Sequence, residues 1–100
     1  MQIISVQELK QRISNGEKLN LIDVREPGEH AEFNIGGELI PLGRFKAMDI
    51  DSLDELKNQE VILYCRSGNR SGQACHILEA AGFSNVKNLV GGMLGWREKF

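Results

Sequence analysis

The residues with the most chemical promise lie in one stretch, Cys65-Arg66-Ser67-Gly68-Asn69-Arg70-Ser71, which follows the apolar run Val61-Ile62-Leu63-Tyr64 and leads into a helical pattern. A cysteine at a strand exit and helix entrance has its sulfur where successive backbone N–H groups can converge. The helix dipole adds partial positive charge there, so an anion is stabilised. The same field favours thiolate over thiol. Arg66 and Arg70 strengthen it, and no acidic side chain occurs between Cys65 and Glu79. Gly68 permits the positive φ and the close approach of a ligand that a tight cradle requires. Together these residues predict a reactive cysteine whose pKa is lowered.

The other reactive side chains lack such surroundings. Cys75 lies ten positions after Cys65, inside the apolar pattern of the following helix, and reads as core filling rather than as a resolving thiol. His76 reads as a helix surface residue. His30 stands near the Pro27 break with no carboxylate, cysteine or histidine at ligand spacing, so neither a general base nor a metal site is indicated. Two cysteines without a CxxC provide no disulfide framework, and a reducing, cytoplasmic setting is expected. With 12 Lys and Arg against 14 Asp and Glu, the net charge of −2 supplies no general footprint for nucleic acid or anionic lipid. No run approaches the ~18 apolar residues of a membrane span, and no signal peptide is visible near Met1.

The elements that must position the loop follow from periodicity. Gln2 to Ile4 reads as a short strand. Ser5 and Glu8 have capping-box spacing before Val6, Leu9 and Ile13 at helical intervals, which predicts a helix to about Asn15 with Gly16 closing it. Leu19 to Val24 reads as a strand, and Pro27-Gly28 breaks the chain before a short helical piece at Glu29 to Phe33. Gly36-Gly37 marks a turn ahead of Leu39-Ile40-Pro41. The acidic stretch from Asp49 to Glu60 reads as a solvated helix with Leu53 and Leu56 inward. Val61 to Tyr64 is continuous rather than alternating, as a central strand covered on both faces requires. Ser71 begins a helix with Ala74, Ile77, Leu78 and Ala81 on its apolar face. Val86 to Val90 is another strand, and the charged tail after Trp96 forms a terminal helix. One domain is expected, an α/β layer with a mainly parallel sheet whose ligand site lies at the carboxyl ends of the strands.

These residues resemble the rhodanese family of sulfurtransferases in its single-domain form. Asp23-Val24-Arg25-Glu26-Pro27 with Glu29 resembles the family's early signature, Cys65 to Ser71 its active-site loop, and Gly91-Gly92-Met93-Leu94-Gly95-Trp96 its closing motif. Phe33-Asn34-Ile35 departs from the frequent Gly-His-Ile, and the Gly37 to Pro41 turn is one residue shorter. The resemblance implies a three-layer fold with about five strands and helices on both faces. It implies that Cys65 is the nucleophile, alternating between thiolate and persulfide without metal or organic cofactor. It also implies that Arg66, Ser67, Gly68, Asn69, Arg70 and Ser71 hold a small anionic sulfur donor such as thiosulfate, with cyanide or a thiol as acceptor. Asp23 and Arg25 resemble a pair that supports the loop; by residue type alone they are an exposed strand-end ion pair worth little.

Two other readings differ in class. A cysteine phosphatase or arsenate reductase also sets a cysteine in an anion cradle, but phosphatases carry arginine at the sixth position after the cysteine, and here the sixth is Ser71 and the arginine is fifth. A sulfur-relay module would have a protein as its true sulfur acceptor, with thiosulfate turnover incidental.

Overall fold

A computed structural model describing residues 1–100 shows what this pattern builds. The apolar run becomes β4 (Glu60–Tyr64), buried on both faces from Val61 onward. It is the middle strand of a five-stranded sheet in which each neighbouring pair is parallel. β5 (Asn85–Leu89) and then β1 (Gln2–Ile4) lie on one side of it, β2 (Leu21–Asp23) and then the two-residue β3 (Glu38–Leu39) on the other.

Alternate residues of each strand face opposite layers, so the sheet divides the core in two. Val61, Leu63 and Cys65 pack with Ile22, Val24 and Val86 beneath α3 (Leu42–Lys46) and α4 (Asn69–Ala80), which add Leu42, Phe45, Ala74, Cys75 and Leu78. Ile62 and Tyr64 face the other layer, where α1 (Val6–Ser14) and α5 (Gly92–Lys99) contribute Val6, Leu9, Met93 and Trp96. Trp96 is thus a core residue. α2 (Pro27–Glu32) lies at the carboxyl edge of the sheet. No helix is long and apolar enough to cross a membrane.

Several expectations are met in detail. Ser5 caps α1, its hydroxyl accepting from Glu8 N at 3.0 Å. Others shift. The acidic stretch forms a 3-10 helix over Asp51–Leu56 rather than an α-helix; its inward residues Leu53 and Leu56 are three apart, the period of that helix. The short helix α3, for which the sequence pattern predicts no element, buries Leu42 and Phe45 at the same spacing. α4 starts at Asn69 instead of Ser71, so the end of the cysteine loop is already its first turn. The last helix starts at Gly92, ahead of Trp96.

One ionic cluster ties three of these elements together. Glu60, at the start of β4, accepts from Arg12 of α1 at 2.5 and 3.0 Å and from Lys87 of β5 at 2.6 Å. The Arg12 hydrogen bond in particular brings the Glu60 carboxyl down to about 2 from an ordinary 4.5, against the opposing pull of burial. A carboxyl whose folded pKa is depressed contributes stability that is full above its unfolded pKa and lost as pH falls through the folded one. Glu60→Gln should therefore cost on the order of 1 kcal/mol near neutral pH. The gap between variant and wild type should close between about pH 4.5 and 2, read from urea unfolding at a series of pH values.

Candidate active site

The exit of β4 meets the N-termini of two helices. On one side the chain turns through Gly68, which has φ +102° and stands at the N-cap of α4. That left-handed conformation suits glycine. It brings Gly68 N to 3.1 Å from Cys65 Sγ, while the hydroxyl of Ser71, one turn into α4, reaches the same sulfur at 3.3 Å. On the other side α5 begins against the loop, with Met93 N donating to Cys65 O and Leu94 N to Arg66 O, both at 2.9 Å. Nothing but glycine fits at position 92, where a Cβ would lie 2.4 Å from Cys65 O and 2.7 Å from Arg66 O. The closing glycine motif is therefore structural, and its structure is the site's.

The cysteine is 1% exposed, and burial pushes its thiol up. Donation from the Ser71 hydroxyl and from the backbone N–H groups of Ser71, Gly68 and Ser67 outweighs this, so the pKa lies below the ordinary cysteine value. The direction matches the expectation from sequence, and so do the converging backbone N–H groups; the Ser71 hydroxyl joins them, and the arginines make no hydrogen bond to the sulfur. Hydrogen bonds to the charged form do the lowering rather than arginine charges. Arg70 is turned to Glu29 of α2 in a two-pronged pair at 2.7 and 2.9 Å and acts on the sulfur only through space. This pair holds Glu29 at about 2 and pins the start of α4 to α2. Asn69 is exposed, its side chain turned along the helix to Gln73. Cys75 is buried among apolar groups with no such donors, which pushes its thiol up to about 12.

Arg66 is exposed and lines a cleft of about 320 Å³ together with Arg25, Glu29, Phe33, Leu94 and Arg97. The sulfur lies under the loop rather than on the cleft wall. Asp23 and Arg25 are buried, at 0% and 5% exposure, and not the exposed pair that residue type alone implied. Asp23 accepts from Arg25 through Nε at 2.9 Å and Nη2 at 2.8 Å, and its Oδ2 lies 2.8 Å from His30 Nδ1. These donors keep its carboxyl below the usual range despite burial. Neither residue bonds to the cysteine loop; Arg25 instead reaches Phe33 O and the cleft. His30 thus has a carboxylate after all, one seven residues away that helix α2 swings into reach.

Glu29, Arg97 and Asn88 were not singled out as site residues from sequence. Arg97 follows Met93 by four residues, so helix periodicity sets both on one face of α5 beside the loop. Asn88 falls on the same face of β5 as the buried Val86, a polar residue at a core-facing position and a signal that was there to be read. No group of three His, Cys, Asp or Glu side chains is arranged to hold a metal ion.

Comparison with known proteins adds independent findings. The model of the rhodanese-like domain matches residues 5–99. A sulfurtransferase of Allochromatium vinosum is 37% identical over 94 residues, covering 93% of this chain and 85% of that protein. The crystal structure of a rhodanese-like domain protein from Staphylococcus aureus superposes with a TM-score of 0.80 at 31% identity, over 96% of this chain and 91% of that one. Longer relatives match as well. The chain spans 51% of a Bacillus subtilis protein whose name assigns it to sulfur carriage, at 38% identity, and 24% of a Mycobacterium tuberculosis protein whose name joins adenylyltransferase and sulfurtransferase, at 36%.

The two cysteines should differ in reactivity although both are buried. Iodoacetamide should modify Cys65 with a pH midpoint below that of a free cysteine and leave Cys75 unmodified up to about pH 10, as read by peptide mass mapping. Equal labelling of Cys75 in the folded protein would contradict the assignment of donors to one sulfur only.

Proposed function

The chain belongs to the rhodanese-like domain family, and on that premise we propose that it is a sulfurtransferase in which Cys65 carries the transferred sulfur as a persulfide. One observation carries the reading. A buried sulfur is ringed by hydrogen-bond donors from Gly68 and Ser71, an environment matched to negative charge on or next to that atom.

The chemistry follows. The Cys65 thiolate attacks the outer sulfur of a donor such as thiosulfate. A bond forms between Sγ and that sulfur, and the bond to the sulfite sulfur breaks, sulfite leaving with the electron pair. The persulfide keeps one negative charge, now on its terminal sulfur. A nucleophile such as cyanide or a thiol then takes the terminal sulfur and returns the thiolate. Arg66, Arg97 and Arg25 line the cleft through which an anionic donor approaches. Phosphatase chemistry is disfavoured because the loop arginine that would clamp a phosphate is bound to Glu29. Leu94, 49% exposed on the cleft wall, favours a second reading in which the acceptor is a protein, since a small inorganic acceptor makes no use of an apolar contact. Faster turnover with a protein dithiol than with an equal concentration of a small thiol distinguishes that case.

Cys65→Ser should abolish thiosulfate:cyanide transfer and the gain of one sulfur atom on the Cys65 peptide after thiosulfate treatment. Cys75→Ser should leave both in place, and hydrolysis of an aryl phosphate should stay undetectable. Absence of the added sulfur in the wild-type protein would overturn the proposal.

The arginines should separate in kinetics. Arg66→Ala should raise the KM for thiosulfate several-fold, because one charge a few ångströms from an anion in water is worth about 1 kcal/mol. Its KM should also depend less on salt than that of the wild type. Arg70→Ala should raise KM by a different route, exposing the unpaired Glu29 carboxylate to the cleft. Adding Glu29→Gln to Arg70→Ala should restore most of the loss.

A further inference from the structure

Ser71 has one hydroxyl proton and two acceptors within reach. Its Oγ lies 3.3 Å from Cys65 Sγ and 2.5 Å from Asn88 Oδ1, and both Ser71 and Asn88 are buried. The orientation of the Asn88 amide is set from its other end. Nδ2 donates to Gly68 O at 3.0 Å, so the oxygen is the atom turned toward Ser71. Asn88 sits in β5 opposite Leu63 of β4, two residues before the cysteine, and so reaches the loop from the neighbouring strand.

We propose that the Ser71 hydroxyl is a two-position donor, switched between Sγ and Asn88 by the charge on the sulfur, and that Asn88 is the positioning residue that sets the balance. When the thiol is neutral, S–H donates to Ser71 Oγ and Ser71 donates to Asn88 Oδ1, so every group is satisfied. When the proton leaves to solvent, the hydroxyl turns to the thiolate and a buried amide oxygen loses its donor. When the charge moves outward to a terminal persulfide sulfur, Sγ is neutral again and the hydroxyl returns to Asn88. Asn88 therefore opposes charge at Sγ and favours the state with the charge one atom further out. A thiolate held slightly less stable is also a better nucleophile. The persulfide step rests on the sulfurtransferase reading above; the thiol and thiolate steps do not.

The charged and titratable groups around the sulfur leave its titration readable. α4 presents Arg70, bound to Glu29 of α2, and Cys75; the loop presents Arg66; and Asp23 at the end of β2 holds both Arg25, two residues on, and His30 of α2. β5 and α5 present the uncharged Asn88, Met93 and Leu94, and α5 adds the Arg97 guanidinium at the cleft. Guanidinium groups do not titrate near neutrality, the Asp23 carboxyl lies below its usual range, and Cys75 is raised to about 12.

The test is the pH profile of Cys65 alkylation in single and double variants. Ser71→Ala should raise the midpoint by about one pH unit, the loss of one charge-assisted hydrogen bond. Asn88→Leu should lower it by several tenths of a unit, because the competing acceptor is gone while Gly72 N still holds Gly68 O at 3.0 Å. In the Ser71→Ala background Asn88→Leu should have no further effect. A midpoint raised or unmoved by Asn88→Leu in a folded protein would overturn the proposal. Should that variant fail to fold, Asn88→Asp replaces it: its upward shift should shrink when Ser71 is also Ala, and an equal shift in both backgrounds would overturn the proposal. Thiosulfate:cyanide kinetics form a separate arm, in which Asn88→Leu should lower kcat several-fold with KM little changed. Failure of transfer in the wild type would sink the sulfurtransferase reading and leave the alkylation result standing.

Discussion

The structure around the site depends on one constraint. The end of the central strand has to satisfy the N-termini of two helices at once. α4 directs Gly68 N at the sulfur, and α5 directs Met93 N and Leu94 N at the carbonyls of Cys65 and Arg66. Free N–H groups at a helix start need acceptors, and a buried sulfur needs donors, so each need answers the other. The arrangement closes only if the backbone passes through a left-handed turn at Gly68 and comes within contact distance at Gly92.

From this follows the division of labour among the charges. The sulfur is stabilised by short-range dipoles, which the solvent does not screen, and the arginines serve elsewhere. Arg70 fastens α4 to α2 through Glu29, Arg25 neutralises the buried Asp23, and Arg66 and Arg97 have no carboxylate partner and face the cleft. Cys65 itself lies under its loop, off the cleft wall.

Ser71 and Asn88 extend the same logic one layer inward. A single hydroxyl shared between a titratable sulfur and a fixed amide makes the preferred location of negative charge a property of the packing between β5 and α4. Such a device is available only where both acceptors are dry, and both residues are.

Much of this was legible in the order of residue types. Ser5 and Glu8 predicted a helix cap that forms, the run from Val61 to Tyr64 predicted the central strand, and Cys65 with Gly68 predicted an anion-stabilising turn, because each depends on neighbours within about one helical turn. Where the local rule met a competing one, the reading slipped: the acidic stretch has helical composition but a three-residue apolar spacing, and it forms a 3-10 helix. What the sequence could not determine were pairings between distant residues. Arg70 with Glu29, His30 with Asp23 and Asn88 with Ser71 are separated by 41, 7 and 17 positions. Composition alone left Arg70 as a charge for the substrate and Asn88 as an unremarked strand residue. The tertiary structure decided both, because a hydrogen bond has a range of about 3 Å, and which side chains come within it is set by how helices pack on a parallel sheet.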